Sequence, residues 1–442
     1  MTRILATLFV VFIFASCKKS NDYVFDQSPD ERINAALASY NSKLTTAENG
    51  WKATITVNNG NGATYSFYFK FNPDNRVKMF SDFDSTSAVT LQESSYRLKA
   101  AQQVTLIFDT YSYVHVLADP NEDVLVLSNV NGGPVGVGLI SDFEFTLDDA
   151  KVKQDTIELS GKVNRSKLVL VRATKAEADA YSAGQLSRGL SINRILTYFK
   201  RLTVGSVSAD VQLNSLTRTA IFTWIDGSGA TNTFTTNYYY TIEGISFTKP
   251  VKIGTQTITT FTNMTFNTVS QSVDLRVNNQ TGTIAGIVVP IKVDVGAPKR
   301  WYDQAVSADS YWYSSNGFHI NGVDDGYNVR SLTSGGLNYY YYIYFPQFGT
   351  GNDFFGPIFL NATATGVQLV YGTAPRTPTF TADGRAVFTQ LGNYNPHPTT
   401  GPAVQTRANL YTSRGFYFVQ TGTNTYDMVS ATDGKSWITW EM

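Results

Sequence analysis

Three histidines, His115, His319 and His397, are the only imidazoles in the 442 residues, and their spacing argues against a local metal site. A helical zinc motif sets two histidines four apart, so that both rings leave one face and meet one ion. No two lie that close, and neither His-Glu-x-x-His nor Cys-x-x-Cys occurs. A Gly-x-Ser-x-Gly elbow and a P-loop lysine motif are missing as well. Gly136-Val137-Gly138 follows a proline outside any βαβ setting, so a dinucleotide reading is poor. Asp119-Pro120-Asn121-Glu122-Asp123 alternates oxygen ligands as a calcium loop does, but it lacks the following glycine and distal glutamate. A solvated turn is the better reading there, and Asp324-Asp325 reads as a hairpin tip. A glycosidase needs only two carboxylates, roughly 5 Å or about 6.5–9.5 Å apart, and a sequence cannot exclude such a pair. Glu144 in Asp142-Phe143-Glu144-Phe145 is the first candidate; a second, similar stretch has Asn263 near that position, which argues against a duplicated active site. No catalytic residue, metal ligand or cofactor signature is therefore assigned.

Aromatic side chains are the better lead. Sugar rings stack their apolar faces on tryptophan and tyrosine, whose polar tips then reach the hydroxyls. Trp301, Tyr311, Trp312, Tyr313, Tyr340 and Tyr342 stand in the most aromatic part of the chain and are the candidate ligand-binding residues. The competing reading is that these rings fill a core.

One further residue carries chemistry. Cys17 is the only cysteine, and it follows Phe14-Ala15-Ser16 at the end of an apolar run that starts at Ile4, after Arg3. A dozen residues at 1.5 Å each span roughly 18 Å, too little for a hydrocarbon layer of about 30 Å, so the run reads as a secretory signal. Its end resembles the lipobox of bacterial lipoproteins, in which the cysteine thiol is diacylglycerated and becomes the mature N-terminus. An exported chain has no use for an unpaired thiol elsewhere. Several acyl chains on one residue would anchor the body firmly to a membrane.

Loss of Arg3 with the leader leaves 34 basic against 35 acidic side chains. Such a balance gives no electrostatic reason to expect nucleic acid as a partner. Charged residues are 16% and aromatics 14% of the chain, which suits an exported, mainly β protein with polar, threonine-rich strand faces.

The elements that would position these groups follow in order. Residues 1–16 form the signal peptide and 17–27 a tether. Ser28-Pro29-Asp30-Glu31 is a capping box with proline at the first helical position. Ile33, Leu37, Tyr40 and Leu44 then make one apolar stripe, and Gly50 is expected to stop the helix. From Trp51 the period changes to two, with strands expected at 51–57, 64–71, 77–83, 96–99, 104–109, 124–127, 142–147, 156–160 and 167–172. His115 falls in what reads as an alternating strand. Thr174-Lys175-Ala176-Glu177 opens a second capping box, and Ile192, Ile195, Leu196, Phe199 and Leu202 share one helical face. Strands resume at Val204. Tyr96–Leu98 and Thr105–Phe108 then find echoes in Tyr239–Thr241 and Gly244–Phe247, as do Asp142–Leu147 and Ile157–Leu159 in Phe261–Phe266 and Val273–Leu275. The fold class is mainly β: antiparallel barrel- or sandwich-like modules at 28–173 and 174–299, each preceded by an amphipathic helix, and a C-terminal β domain at 300–442 with little helix.

The stretch up to about Arg172 resembles the Bacteroidota lipoprotein family catalogued as DUF4302. The resemblance is carried by Phe25 to Ile33, Asn49-Gly50-Trp51, Ser81-Asp82, Ser95-Tyr96, Phe108-Asp109-Thr110-Tyr111, Tyr113 to Pro120 and Asp142-Phe143-Glu144-Phe145. It implies an outer-membrane lipoprotein, lipid-anchored at Cys17 and exposed at the cell surface, beside an outer-membrane transporter complex. Lys18 in place of aspartate after the cysteine fits that delivery. The resemblance supplies neither an activity nor catalytic residues. The expectation is a non-enzymatic surface lipoprotein that binds a glycan or peptide ligand. An exported hydrolase with paired carboxylates and a purely adhesive protein are the alternatives.

Overall fold

The computed structural model describes residues 28–100, 103–121, 136–349, 351–360 and 366–442. Helix α1 (Pro29–Thr45) starts as its capping box requires: the Glu31 N–H donates to Ser28 Oγ, and the Ser28 N–H donates back to Glu31. The helix buries Tyr40 and Leu44 but leaves Ile33 41% exposed, so the expected stripe packs only in its second half. Gly50, at φ +71°, serves the turn into the first strand rather than the helix end; a Cβ there would lie 2.5 Å from Phe69 O.

Eight antiparallel strands close the first barrel: β1 (Trp51–Thr56), β2 (Thr64–Phe71), β3 (Arg76–Ser81), β4 (Gln92–Ala100), β5 (Val104–Phe108), β6 (Glu144–Val152), β7 (Thr156–Gly161) and β8 (Lys167–Arg172). β1 pairs with both β2 and β8. Alternation sends Trp51, Ala53 and Ile55 inward and Lys52, Thr54 and Thr56 outward. Phe67, Phe69, Phe108, Phe145 and Leu168 fill the middle, as the bore of an eight-stranded barrel allows. Residues Tyr113–Val116 form a single helical turn, α2, not the strand expected around His115. The expected strand at 124–127 lies outside the described residues.

Helix α3 (Lys175–Ser182) follows, capped by Thr174 and Glu177 as expected. Gln185–Arg194 is then 3-10 helix, and Phe199–Leu202 are strand rather than helix. In β9 Leu202 and Val204 point inward on a period of two, although Phe199 and Leu202 also fit the helical period of 3.6. The second barrel comprises β9 (Phe199–Val204), β10 (Val207–Asn214), β11 (Thr219–Ile225), β12 (Thr231–Tyr240), β13 (Gly244–Ile253), β14 (Gln256–Asn267), β15 (Ser272–Val277) and β16 (Gln280–Ile287). β9 closes it by pairing with β10 and β16. The sequence echoes fall on the fourth to seventh strands of both barrels in the same order. Both interiors are apolar and the outer faces polar, the reverse of a membrane-spanning barrel. Among the described residues, no helix is long and apolar enough to cross a membrane.

Tyr68, Phe80 and Ala88 from the first barrel join the core of the second through Tyr181 of α3. The C-terminal region is one curled 13-stranded antiparallel sheet. It holds more helix than expected: α4 (Ala297–Ala308) runs across residue 300, and α5 is Pro402–Leu410. Trp301 of α4 and Leu410 of α5 both enter the sheet's main core.

Candidate functional site

The C-terminal sheet divides the predicted aromatic residues between its two faces. Strand Trp312–Ser314 lies between Ser436–Glu441 and Leu337–Phe348, and side chains of successive residues in a strand leave opposite sides. Trp301, Trp312 and Tyr342 go inward and are 0% exposed. The Trp301 and Trp312 rings stack at 6.0 Å, and the Trp312 indole N–H donates to Trp301 O at 2.9 Å. These three are core and cannot receive a ligand.

Tyr311 and Tyr313 face the other way. They pack with Tyr341, Phe345 and Phe348 around Ile343 and Phe354 in a separate, half-exposed cluster. Tyr313 and Tyr341 lie 4.6 Å apart, and Tyr340, 38% exposed, sits 3.9 Å from Tyr341. Phe348 continues the band to Tyr394 at 5.6 Å. At the near end the Tyr313 hydroxyl donates to Glu441 Oε2 at 3.2 Å. Burial, and then Glu441, push the Tyr313 pKa up, so the phenol keeps its proton. Beyond Glu441, Trp437 stacks on His319 at 3.8 Å. Asp324 Oδ1 is 4.0 Å from His319 Nδ1 and its other oxygen accepts from Asn316 at 2.6 Å. Burial lowers the His319 pKa against the pull of Asp324, which favours the neutral ring near pH 7. Trp437, Asp324 and Glu441 share a depression of about 90 Å³. The whole forms an aromatic band with carboxylate acceptors at one end.

Sequence reasoning missed Tyr341, Trp437, His319 and Glu441. The signal for Trp437 and Glu441 was available in the alternation of Ser436–Glu441, where Ile438 and Trp440 are inward.

The other chemical candidates are structural. His115 Nδ1 accepts from the Ser112 N–H at 3.1 Å, which leaves Nε2–H to donate to Phe108 O, also at 3.1 Å. The ring clamps a turn between Tyr111 and Phe143. His397 Nδ1 lies 2.9 Å from Pro398 O. Glu144 accepts from Lys162 at 2.6 Å in an exposed pair. Asp119 accepts from Tyr111 and from the Asn121 N–H, a local turn. Asp325 caps the turn at Val329–Ser331 through the Val329 and Arg330 N–H groups. Among the described residues no group of three or more metal-ligating side chains is found.

Two tandem antiparallel barrels followed by a curled sheet with an aromatic outer band define a mainly β protein. The family model described as "Domain of unknown function (DUF4302)" matches residues 21–267, and the chain belongs to that family. The match runs through both barrels as far as β14, well past Arg172. No curated protein matches the chain. Among solved structures, transferrin binding protein B from Neisseria meningitidis has 11% identity over 86% of this chain, with a TM-score of 0.15. The chain spans 64% of that protein's length. The Helicobacter pylori beta clamp has 9% identity over 93% of this chain and 97% of its own, also at TM-score 0.15. Likenesses of that size carry no weight for fold or function.

Proposed function

We propose that this protein is a non-enzymatic lipoprotein, held at the outer membrane by acyl groups on Cys17, that captures an extracellular glycan on its C-terminal sheet. The observation that supports this best is the outward aromatic band from Tyr394 to Tyr313, which ends at Glu441 and the Trp437–His319 stack. Rings offer apolar faces to pyranose C–H groups, and carboxylates accept from the hydroxyls. Anchored beside an outer-membrane transporter, such a protein would hold its ligand for uptake.

The test is a combined glycan and peptide array with the soluble form lacking residues 1–17. Glycan binding that falls in Tyr341→Ala and Trp437→Ala supports the reading; binding to peptides alone, or to nothing, overturns it. Anchoring is tested by palmitate labelling of the wild type and Cys17→Ser. Equal labelling of both removes the lipid anchor from the proposal.

A further inference from the structure

A second cavity, of about 480 Å³, lies between the two barrels above helix α3. That volume is within the range of small-molecule sites. One wall is the outside of the first barrel, with Thr54 on β1 and Val169 and Val171 on β8; the other is the outside of the second, with Tyr239, Ser246 and Thr260 on β12, β13 and β14. Tyr181 lies at the base. Every residue of the lining falls inside 21–267, the segment that matches the family model, whereas the aromatic band lies wholly outside it.

Two properties limit what this cleft can hold. The first is charge. Lys52 Nζ is 2.5 Å from Glu177 Oε1, and Glu177 Oε2 accepts from the Thr174 N–H and hydroxyl at 2.9 and 3.0 Å. Both groups are thus committed to each other and to the helix cap. Glu243, exposed in the same lining, has no counter-ion among the described residues. The surplus is negative and disfavours a phosphate or carboxylate ligand.

The second property is free hydrogen-bonding capacity. Ser66 donates to Tyr240 O, and Thr241 Oγ1 accepts from the Gly244 N–H at 3.2 Å, so those hydroxyls are used. The hydroxyls of Thr54, Tyr239, Ser246 and Thr260 make no hydrogen bond among the described residues. They line both walls, and the half-buried Val169 and Val171 supply an apolar strip. Hydroxyls around an apolar strip complement a ring with polar edges and a C–H face.

We propose that the inter-barrel cleft binds a small saccharide of one or two pyranose rings that carries an amine, not a carboxylate. The ring face rests on Val169 and Val171, its hydroxyls meet Thr54, Tyr239 and Thr260, and its ammonium faces Glu243. This site is independent of the outer aromatic band.

The experiment is calorimetric titration of the detergent-solubilised full-length protein with the β-1,4-linked glucosamine dimer, the matching glucose dimer and a uronate-containing dimer. The expected order is amine tightest, neutral weaker, uronate without measurable binding. Glu243→Gln should weaken the amine dimer about tenfold at low salt and leave the neutral one unchanged. Val169→Trp, which fills the cleft from one wall, should abolish both, and Thr260→Tyr should do the same from the other if the first variant does not fold. Tyr341→Ala on the outer band should change neither. Saturable binding that persists when a filled variant is combined with Tyr341→Ala, uronate preferred over amine, or no saturation by any of the three overturns the proposal.

Discussion

The Arg218 guanidinium and the Asp82 carboxylate, 136 residues apart, meet in two hydrogen bonds of 3.1 and 3.2 Å with side chains 1% and 0% exposed. Arg218 also donates to Asp82 O at 2.9 Å, and Asp82 Oδ2 accepts from the Tyr240 N–H. The guanidinium lies 4.5 Å over the Tyr65 ring and 4.8 Å over that of Tyr240. Burial pushes the Asp82 carboxyl up while Arg218 opposes it. Burial likewise pulls Arg218 down, but Asp82 and the tyrosines outweigh it. The bidentate geometry and the backbone donor favour the charged pair.

Because this pair joins one barrel to the other, Arg218→Met should cost about 3–5 kcal/mol by leaving a buried carboxylate alone. The double variant Arg218→Met/Asp82→Leu should recover most of that loss. Urea unfolding of the four proteins of the cycle measures the coupling; additive single effects would show that the pair does not act as a unit.

Lys200 is a half-buried cation without a carboxylate partner among the described residues. Its Nζ donates to Thr197 O at 2.8 Å, and burial pulls its pKa from 10.5 down to about 8. Below about pH 8 the amine is charged in both states and the fold bears the burial penalty. Between about 8 and 10.5 the unfolded chain binds more protons, so this group makes stability rise with pH. Lys200→Met should raise stability at pH 7 by on the order of 2–3 kcal/mol and remove that rise. Buried tyrosines such as Tyr65, raised to about 12, slope the opposite way above pH 10. The comparison of wild type and variant therefore belongs between pH 7 and 9.5, where parallel stability curves would refute the assignment.

Much of this architecture was legible because it depends on local rules. Ser28 with Glu31 and Thr174 with Glu177 are helix starts by hydrogen-bond chemistry alone, and the period-two runs of the first barrel state which residues face inward. Phe199 to Leu202 failed because a short apolar run fits both periods, and only the closing partners β10 and β16 select the strand. The aromatic candidates divide by parity, with Tyr311, Tyr313 and Tyr340 outward and Trp301, Trp312 and Tyr342 inward. Tyr311, Trp312 and Tyr313 are adjacent letters, but which of them points inward is set by the helix carrying Trp301, which the sequence does not place. The cleft was invisible for a stronger reason: its walls are outer faces of two barrels, such as Val169 and Thr260, whose approach is set by Tyr68, Tyr181 and the Arg218 pair.

Asp142 organises the loop after β7 in a way that its neighbour Gly161 permits. Asp142 Oδ1 accepts from the Val163 and Asn164 N–H groups, both at 2.8 Å, and Oδ2 accepts from the Ser166 N–H and hydroxyl at 3.1 and 2.7 Å. A Cβ on Gly161 would fall 1.9 Å from Oδ2. Gly161→Ala should therefore destabilise the first barrel by more than the usual cost of an exposed substitution, about 0.5 kcal/mol. Asp142→Asn should also destabilise, by roughly 1–3 kcal/mol, through donors left unmatched. Thermal unfolding checks both, and a melting temperature unchanged in Gly161→Ala would mean the loop can move aside freely.

The two faces of the C-terminal sheet make opposite demands on substitution, and Tyr313 and Trp301 separate them. Trp301 is fully buried among Trp312, Tyr344 and Phe418, so Trp301→Ala should cost about 3–5 kcal/mol and disorder the sheet before it alters binding specifically. Tyr313 is half-exposed, and its hydroxyl serves only Glu441 among the described residues. Tyr313→Phe keeps the ring and frees the carboxylate, so it should fold normally and hold a glycan at least as well. Tyr313→Ala removes the stacking surface and should weaken binding about tenfold, equivalent to about 1.4 kcal/mol, with little change in melting temperature. Glycan affinity and thermal stability measured on the three variants decide the matter. Equal affinity in Tyr313→Ala and wild type would mean that the band, although exposed, is not where the ligand rests.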